Sequence, residues 1–320
     1  MTRALIYGIS GQDGAYLAQF LLDKGYEVFG TSRDVDASTF SNLDLLGIRN
    51  QVTLSSVAIN DFRSVLQSLI NISPDEVYNL AGQSSVGLSF DQPLEAMESI
   101  GVGTLNLLEA IRFSEKNIRL YSAGSSECFG DIGKLAATED TPFSPQSPYA
   151  VAKSAAYWHV STYRKAYNIF ACTGILFNHE SPLRPERFVT KKIVASACRI
   201  AAGHDEKLQL GNIDIIRDWG WAPEYIEAMW LMLQRDVPED FVIATGESNS
   251  LKDFIKVVFH EVGLDWQEHV DSESSLLRPV DLMVGRALPA KANKVLGWSA
   301  TYTMKDVATM MVNAEKNISK

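Results

Sequence analysis

Residues 4–22 read ALIYGISGQDGAYLAQFLL, in which a short apolar run ends on Gly8, Gly11 and Gly14, each separated from the next by two residues, and an amphipathic run follows. A pyrophosphate binds where bare backbone N–H groups at a helix N-terminus can reach it and the helix dipole favours negative charge, and glycine permits that approach. The ordinary alternative is a glycine-rich turn and helix cap. A strand before the turn and an amphipathic helix after it favour a nucleotide site.

The same alternation continues outward. The helical run closes at Gly25; "EVFGT" and "VTLSS" read as strands, 61–72 as a helix, and "DEVYNLA" as the next strand. Near-continuous apolar strands such as "GILF" fit a parallel sheet covered on both faces. This βαβα rhythm predicts an α/β fold with a doubly wound parallel (Rossmann) sheet. After about residue 178 the rhythm loosens through "NHESPLRPERF", "LQLGNIDIIRDWGWAP" and "SESSLLRPVDLMVG", which reads as a second, smaller α/β lobe for substrate. The expected division is a dinucleotide-binding domain over 1–177, with segments near 213–247 returning to it, and a lobe made mainly of 178–320. "FVIATG" is the strand expected to return.

The chain has 320 residues, 46% of them apolar, enough to bury a sizeable core. No apolar stretch approaches the roughly 18 residues a membrane helix needs. "MTRALIYGISG" runs straight into strand-like sequence rather than a signal peptide, so the cytoplasm is the expected address. Three cysteines, Cys128, Cys172 and Cys198, are widely spaced and without a CxxC pair, which argues for buried thiols rather than a disulfide or zinc framework. "HEVGLDWQEH" has Leu264 where a second HExxH ligand would stand, and no metal is expected. A net charge of -10 argues against nucleic acid as a partner and requires local cations to capture an anionic substrate.

The chemistry concentrates in two stretches. Tyr149 and Lys153 stand at i and i+4 in "SPYAVAKSAAYW" behind Pro148, so on a helix they share a face. A nearby ammonium favours phenolate and makes a tyrosine a usable base. "AGSSECFG", residues 123–130, follows a strand-like run and places Ser125 to hydrogen-bond the reacting oxygen. Glu127 is surplus to simple alcohol oxidation and suits a second proton transfer, at the carbon beside a new ketone. The second strand carries no acidic residue for a ribose 2′-hydroxyl, and Arg33 follows it, which favours NADP; the alternative is a solvated surface arginine.

With "GISGQDGAYLAQFLL", "EVYNLAGQSSVG", "SSECFG", "SPYAVAK", "GILFNHESPLR", "FVTKKI", "RDWGWAPEYIEAMWLML", "RPVD" and "KVLGW", the chain resembles the extended short-chain dehydrogenase/reductases. Within them it is most similar to the GDP-mannose 4,6-dehydratases. The resemblance runs nearly end to end. It implies NADP in the large lobe, held by Gly8, Gly11, Gln12, Asp13, Gly14, Arg33, Leu80, Ala81, Tyr149 and Lys153, and a GDP-sugar between the lobes. It also implies Ser125, Glu127, Tyr149 and Lys153 as catalytic residues. Ser85, Ser126, Asn178, Lys192, Arg217 and Arg278 fall on positions for the sugar nucleotide, where arginine forks match diphosphate oxygens. The sequence departs from the pattern at Ala58, where an aspartate near adenine is usual, at Asp34 in place of a second arginine, at Pro185 for glycine, and at Ser85 for a bulkier side chain.

The activity implied is conversion of GDP-mannose to its 4-keto-6-deoxy product, in a homodimer or homotetramer. A GDP-manno-heptose is the alternative sugar if the space at Ser85 admits another carbon. A nucleotide-sugar 4-epimerase or 4-reductase would need Ser, Tyr and Lys but no Glu127. A noncatalytic NADP-sensing regulator would keep only the fold.

Overall fold

The computed structural model describes residues 1–277 and 279–318. Among them the strands are β1 Arg3–Tyr7, β2 Glu27–Ser32, β3 Thr53–Ser56, β4 Glu76–Asn79, β5 Arg119–Ala123, β6 Ala171–Leu176, β7 Asn178–Glu180, β8 Leu208–Leu210, β9 Ile216–Trp221, β10 Phe241–Ile243, β11 Ser248–Ser250 and β12 Val270–Ser272. Seven of them form one parallel sheet in the order β10-β6-β5-β4-β1-β2-β3. The order reverses between β1 and β4, and a crevice opens beyond the carboxyl ends of strands at such a point.

Alternation along β1 builds both layers. Ala4 and Ile6 face one side with Leu17 and Leu21 of the helix Gln12–Asp23 and with Tyr225 and Met229. Leu5 and Tyr7 face the other with Val65, Leu69, Leu107, Ile111 and Val160. All of these side chains are buried, and each large one contributes about 1.5–3 kcal/mol of transfer free energy. The "FVIATG" segment supplies the edge strand β10, whose Phe241 and Ile243 join the first layer together with the helix Ala222–Leu233.

The remaining segments form a three-stranded sheet, β11-β9-β7, and the pair β12-β8. Around Trp219 of β9 pack Ile193 and Val194 of the helix Val189–Ala201, Phe254 and Val258 of Leu251–Glu261, and Val307 and Met311 of Met304–Ile318. β6 and β7 are separated by one residue, Phe177, so the chain leaves the large sheet directly into the second lobe at the crevice. No helix among the described residues is long and apolar enough to cross a membrane.

Candidate active site

Two connected cavities occupy the crevice. The larger, about 1050 Å³, runs from Gly8, Gly11, Gln12, Asp13 and Gly14 past Ser32 and Arg33 to Leu80, Ala81 and Ser85. Gly8 has φ of 84° and its position allows no Cβ, which would meet the Leu80 carbonyl oxygen at 2.8 Å. A Cβ on Gly14 would lie 2.4 Å from the Gly8 carbonyl oxygen, so the first helical turn rests on the loop itself. Gly11 is the N-cap of the helix Gln12–Asp23, and no side chain caps that first turn. Its N–H groups are thereby left for an anion, which fits the diphosphate of a dinucleotide.

The Gln12 side chain is spent on protein partners. Its side-chain amide donates to Asp13 Oδ1 at 2.9 Å and to the His179 carbonyl at 3.2 Å, and its Oε1 accepts from Ser181 Oγ at 2.8 Å. Asp13 is likewise engaged, with Oδ2 2.9 Å from His179 Nε2. Burial by itself would push the Asp13 carboxyl up, but the His179 imidazole opposes this and holds it down at about 2. His179 Nδ1 lies 2.7 Å from the Phe177 carbonyl oxygen, and the ring stacks on Tyr225 at 4.6 Å. With an acceptor at each nitrogen, the ring is best satisfied as imidazolium. Burial opposes that charge and Asp13 outweighs it, so His179 titrates above its usual value.

The smaller cavity, about 380 Å³, collects Ser125, Ser126, Glu127, Tyr149, Lys153, Asn178, Lys192 and Arg217, with Asp13, Leu80, Ala81 and Ser85 shared at its junction with the first. β5 delivers the chain to Ser125, whose side chain caps the short turn Ser126–Phe129 by accepting from Glu127 N at 3.3 Å. Glu127 is half-buried and lines the cavity rather than an open loop. Ser147 caps the helix Pro148–Tyr167, with Pro148 in its first turn, and fixes the face that Tyr149 and Lys153 share. Lys153 Nζ donates to the Ala123 carbonyl at 2.7 Å and sits 5.8 Å from the Tyr149 ring centre. Burial pulls the Lys153 ammonium down to about 8. Burial pushes the Tyr149 phenol up, and its hydrogen bond with Ser125 works against that rise.

At the far end, Lys192 Nζ is fixed 2.7 Å from the Gln209 carbonyl oxygen. Buried Arg217 donates to the Ile216 carbonyl at 2.9 Å and lies 3.4 Å from Asp281. Arg278, the remaining residue expected at the sugar nucleotide, lies outside the described residues. Arg33 stands on the rim with its side chain 82% exposed, 3.4 Å from Glu95.

A family model described as GDP-mannose 4,6 dehydratase matches residues 5–311 of this sequence. The chain belongs to the GDP-mannose 4,6-dehydratase family. GDP-mannose 4,6 dehydratase 1 of Arabidopsis thaliana is 43% identical over 99% of this chain and 90% of its own length. The GDP-mannose 4,6-dehydratase of Yersinia enterocolitica is 38% identical over 100% of this chain and 95% of its own. Among solved structures, dTDP-glucose 4,6-dehydratase from Streptomyces venezuelae, with NAD bound, superposes with a TM-score of 0.88 at 20% identity, covering 99% of this chain and 97% of that one. UDP-glucose 4-epimerase from Thermotoga maritima gives 0.88 at 20% identity over 100% of both chains. At these identities the two structures establish the fold, and the fold alone does not separate dehydratase from epimerase.

Against the GDP-mannose 4,6-dehydratase pattern, the departures acquire places. Ser85 is the N-cap of the helix Val86–Asp91, its Oγ accepting from Leu88 N at 3.2 Å, a role that sequence comparison alone does not show. Asp34 turns its carboxylate to the N–H groups of Asp36 and Ala37. Ala58 lies between two residues that line the dinucleotide cavity, Val57 and Ile59. Sequence reasoning passed over His179, Arg184 and Arg187. "NHESPLRPER" carried the signal, but nothing local shows that His179 reaches Asp13 across 166 positions or that Arg184 and Arg187 line both cavities.

Proposed function

We propose that the protein is a GDP-mannose 4,6-dehydratase that uses NADP. The observation that carries this is the convergence of Glu127 with Ser125, Tyr149 and Lys153 on one cavity continuous with the dinucleotide crevice. An epimerase or 4-ketoreductase has no task for that carboxylate. Residues 1–177 would form the dinucleotide lobe and 178–320 mainly the sugar-nucleotide lobe.

Gly8, Gly11 and Gly14 with the uncapped helix N-terminus would hold the diphosphate, Tyr149 and Lys153 the nicotinamide end, and Arg33 a 2′-phosphate. Support for the phosphate comes from β2, which ends in Thr31 and Ser32 with no acid before Arg33, and from Asp34, whose carboxylate is spent on its own loop. A bound oxidised nicotinamide supplies the acceptor for hydride from sugar C4 and the donor that returns it at C6.

The chain's own groups move the protons. Tyr149 takes the proton of the 4-hydroxyl, with Ser125 hydrogen-bonded to the same oxygen and the Lys153 ammonium favouring the phenolate. The ketone acidifies C5–H, and Glu127 takes that proton. Glu127 then gives a proton to the C6 oxygen, which departs as water. The proton on Tyr149 returns at C5, so the sugar loses one water and the cofactor ends as it began. Lys192 and Arg217, which line the same cavity, would bind the nucleotide diphosphate.

Incubation with GDP-mannose and NADP+ should show loss of water by mass with the cofactor remaining oxidised. Glu127→Gln should bind nucleotide normally and stop water elimination; full turnover in that variant would refute the assignment. A GDP-manno-heptose is the second reading, favoured by the small Ser85 at the cavity junction. Faster turnover of the heptose than of GDP-mannose would select it.

A further inference from the structure

The loop joining β7 to the helix Val189–Ala201 forms the wall opposite the dinucleotide turn. It is a stiff structure. Arg184 N donates to the Ser181 carbonyl at 3.1 Å, Phe188 N to the Pro185 carbonyl at 3.0 Å, and Pro185 fixes its own backbone angle. Glu186 ties the turn to Arg199 at 2.8 Å, and the guanidinium groups of Arg184 and Arg187 lie 4.0 and 5.1 Å from the Phe188 ring centre. From this turn Arg187 reaches across the crevice to the other lobe, its Nη2 3.5 Å from Ser84 Oγ, and it lines both cavities at their junction.

The charges around the dinucleotide cavity single this residue out. Asp13 is matched by His179, Arg33 by Glu95, and Arg184 by Glu180 at 3.0 Å. Arg187 is exposed and contacts a neutral hydroxyl and an aromatic ring. Among the described residues lining that cavity, it is the cation with no carboxylate partner. The sugar-nucleotide end already holds Lys192 and Arg217.

We propose that Arg187 is a cross-cleft clasp for the bound dinucleotide: its guanidinium exchanges the Ser84 hydroxyl for an oxygen of the dinucleotide diphosphate and so slows release of the cofactor. The proposal deepens the dinucleotide assignment and rests on it. A charge-assisted hydrogen bond to phosphate replaces a long neutral one, and the loop is already held in place to make it. Slow release suits a reaction in which the cofactor leaves each cycle in the oxidation state in which it entered.

The test is the release rate of NADPH, followed by its fluorescence after mixing with excess NADP+, in the wild-type protein and in Arg187→Gln. Release about ten-fold faster in the variant is expected, with the gap closing at about 0.5 M salt, as an ionic contact requires. GDP affinity, measured in parallel by calorimetry, should be unchanged. Equal NADPH release rates would overturn the clasp while leaving the dinucleotide site intact. Weakened GDP binding with unchanged NADPH release would also overturn it, because Arg187 would then serve the sugar nucleotide. Failure of wild-type protein to bind NADPH at all would remove the site assignment and the clasp together.

Discussion

Replacement of Lys153 by Met removes the ammonium that sits beside Tyr149 while keeping most of the side-chain volume. Nζ lies 5.8 Å from the phenol ring centre. With the phenolate charge taken at the ring centre and an effective dielectric constant of about 20, opposite unit charges about 6 Å apart attract by about 3 kcal/mol. That is about two units of tyrosine acidity, so turnover of Lys153→Met at saturating dinucleotide should fall about 100-fold near neutral pH. The pH profile carries the sharper information. In the wild-type protein burial pulls the Lys153 ammonium down to about 8, so if the tyrosine and lysine give up their first proton as a pair, activity should rise and flatten near that pH. The variant's tyrosine is left with the pKa that burial raises, and its activity should keep climbing through pH 9 to about 10 without a plateau. Initial rates from pH 6 to about 10, with dinucleotide binding checked by fluorescence, make the measurement. A loss smaller than about ten-fold, or a profile flattening where the wild type does, would show that the ammonium does not support the phenolate.

Three further outcomes follow from the same geometry. Asp13→Asn should lower stability by about 2 kcal/mol in urea or thermal unfolding. Asp13's share is present above its ordinary value of 3.8 and lost as pH falls to about 2, whereas His179's share is full below 6.5 and lost as pH rises through its raised folded value, so the deficit should be largest between pH 3.8 and 6.5. A deficit independent of pH would contradict the ion pair. Gly14→Ala places a methyl 2.4 Å from a carbonyl oxygen that cannot swing away, and should cost about 1–3 kcal/mol while weakening dinucleotide binding more than about ten-fold, read by melting and by NADPH titration. Ser85→Ala should cost about 1 kcal/mol through loss of the Leu88 cap, whereas Ser85→Asn, which can cap, should stay within about 0.5 kcal/mol; equal losses in thermal melts would deny the cap.

Much of the molecule was legible in the primary structure because the deciding signals are local. The Gly8, Gly11 and Gly14 spacing, the strand before it and the helix after it all lie within residues 3–23, and the i,i+4 placement of Tyr149 and Lys153 follows from helix geometry once Ser147 and Pro148 start the helix. The β–α alternation likewise gave the parallel sheet, since each strand's burial on two faces is written in its own apolar run. Glu127 was legible as a carboxylate at a strand end, and its exposure to the cavity rather than to an open loop follows from Ser125 capping a turn at the end of β5.

Periodicity and spacing carry no information about which distant segments meet. Asp13 finds His179, β10 takes the sheet edge beside β6, Ser85 spends its hydroxyl on Leu88 while facing the cavity junction, and Arg187 spans the crevice to Ser84. Each contact is selected by packing of the two lobes around their crevice, where a buried or bridging polar group is stable only when its partner arrives from elsewhere in the chain. Residue types and short-range order therefore fixed the chemistry available to this protein, and the meeting of the lobes set the charge balance and the positions in which that chemistry operates.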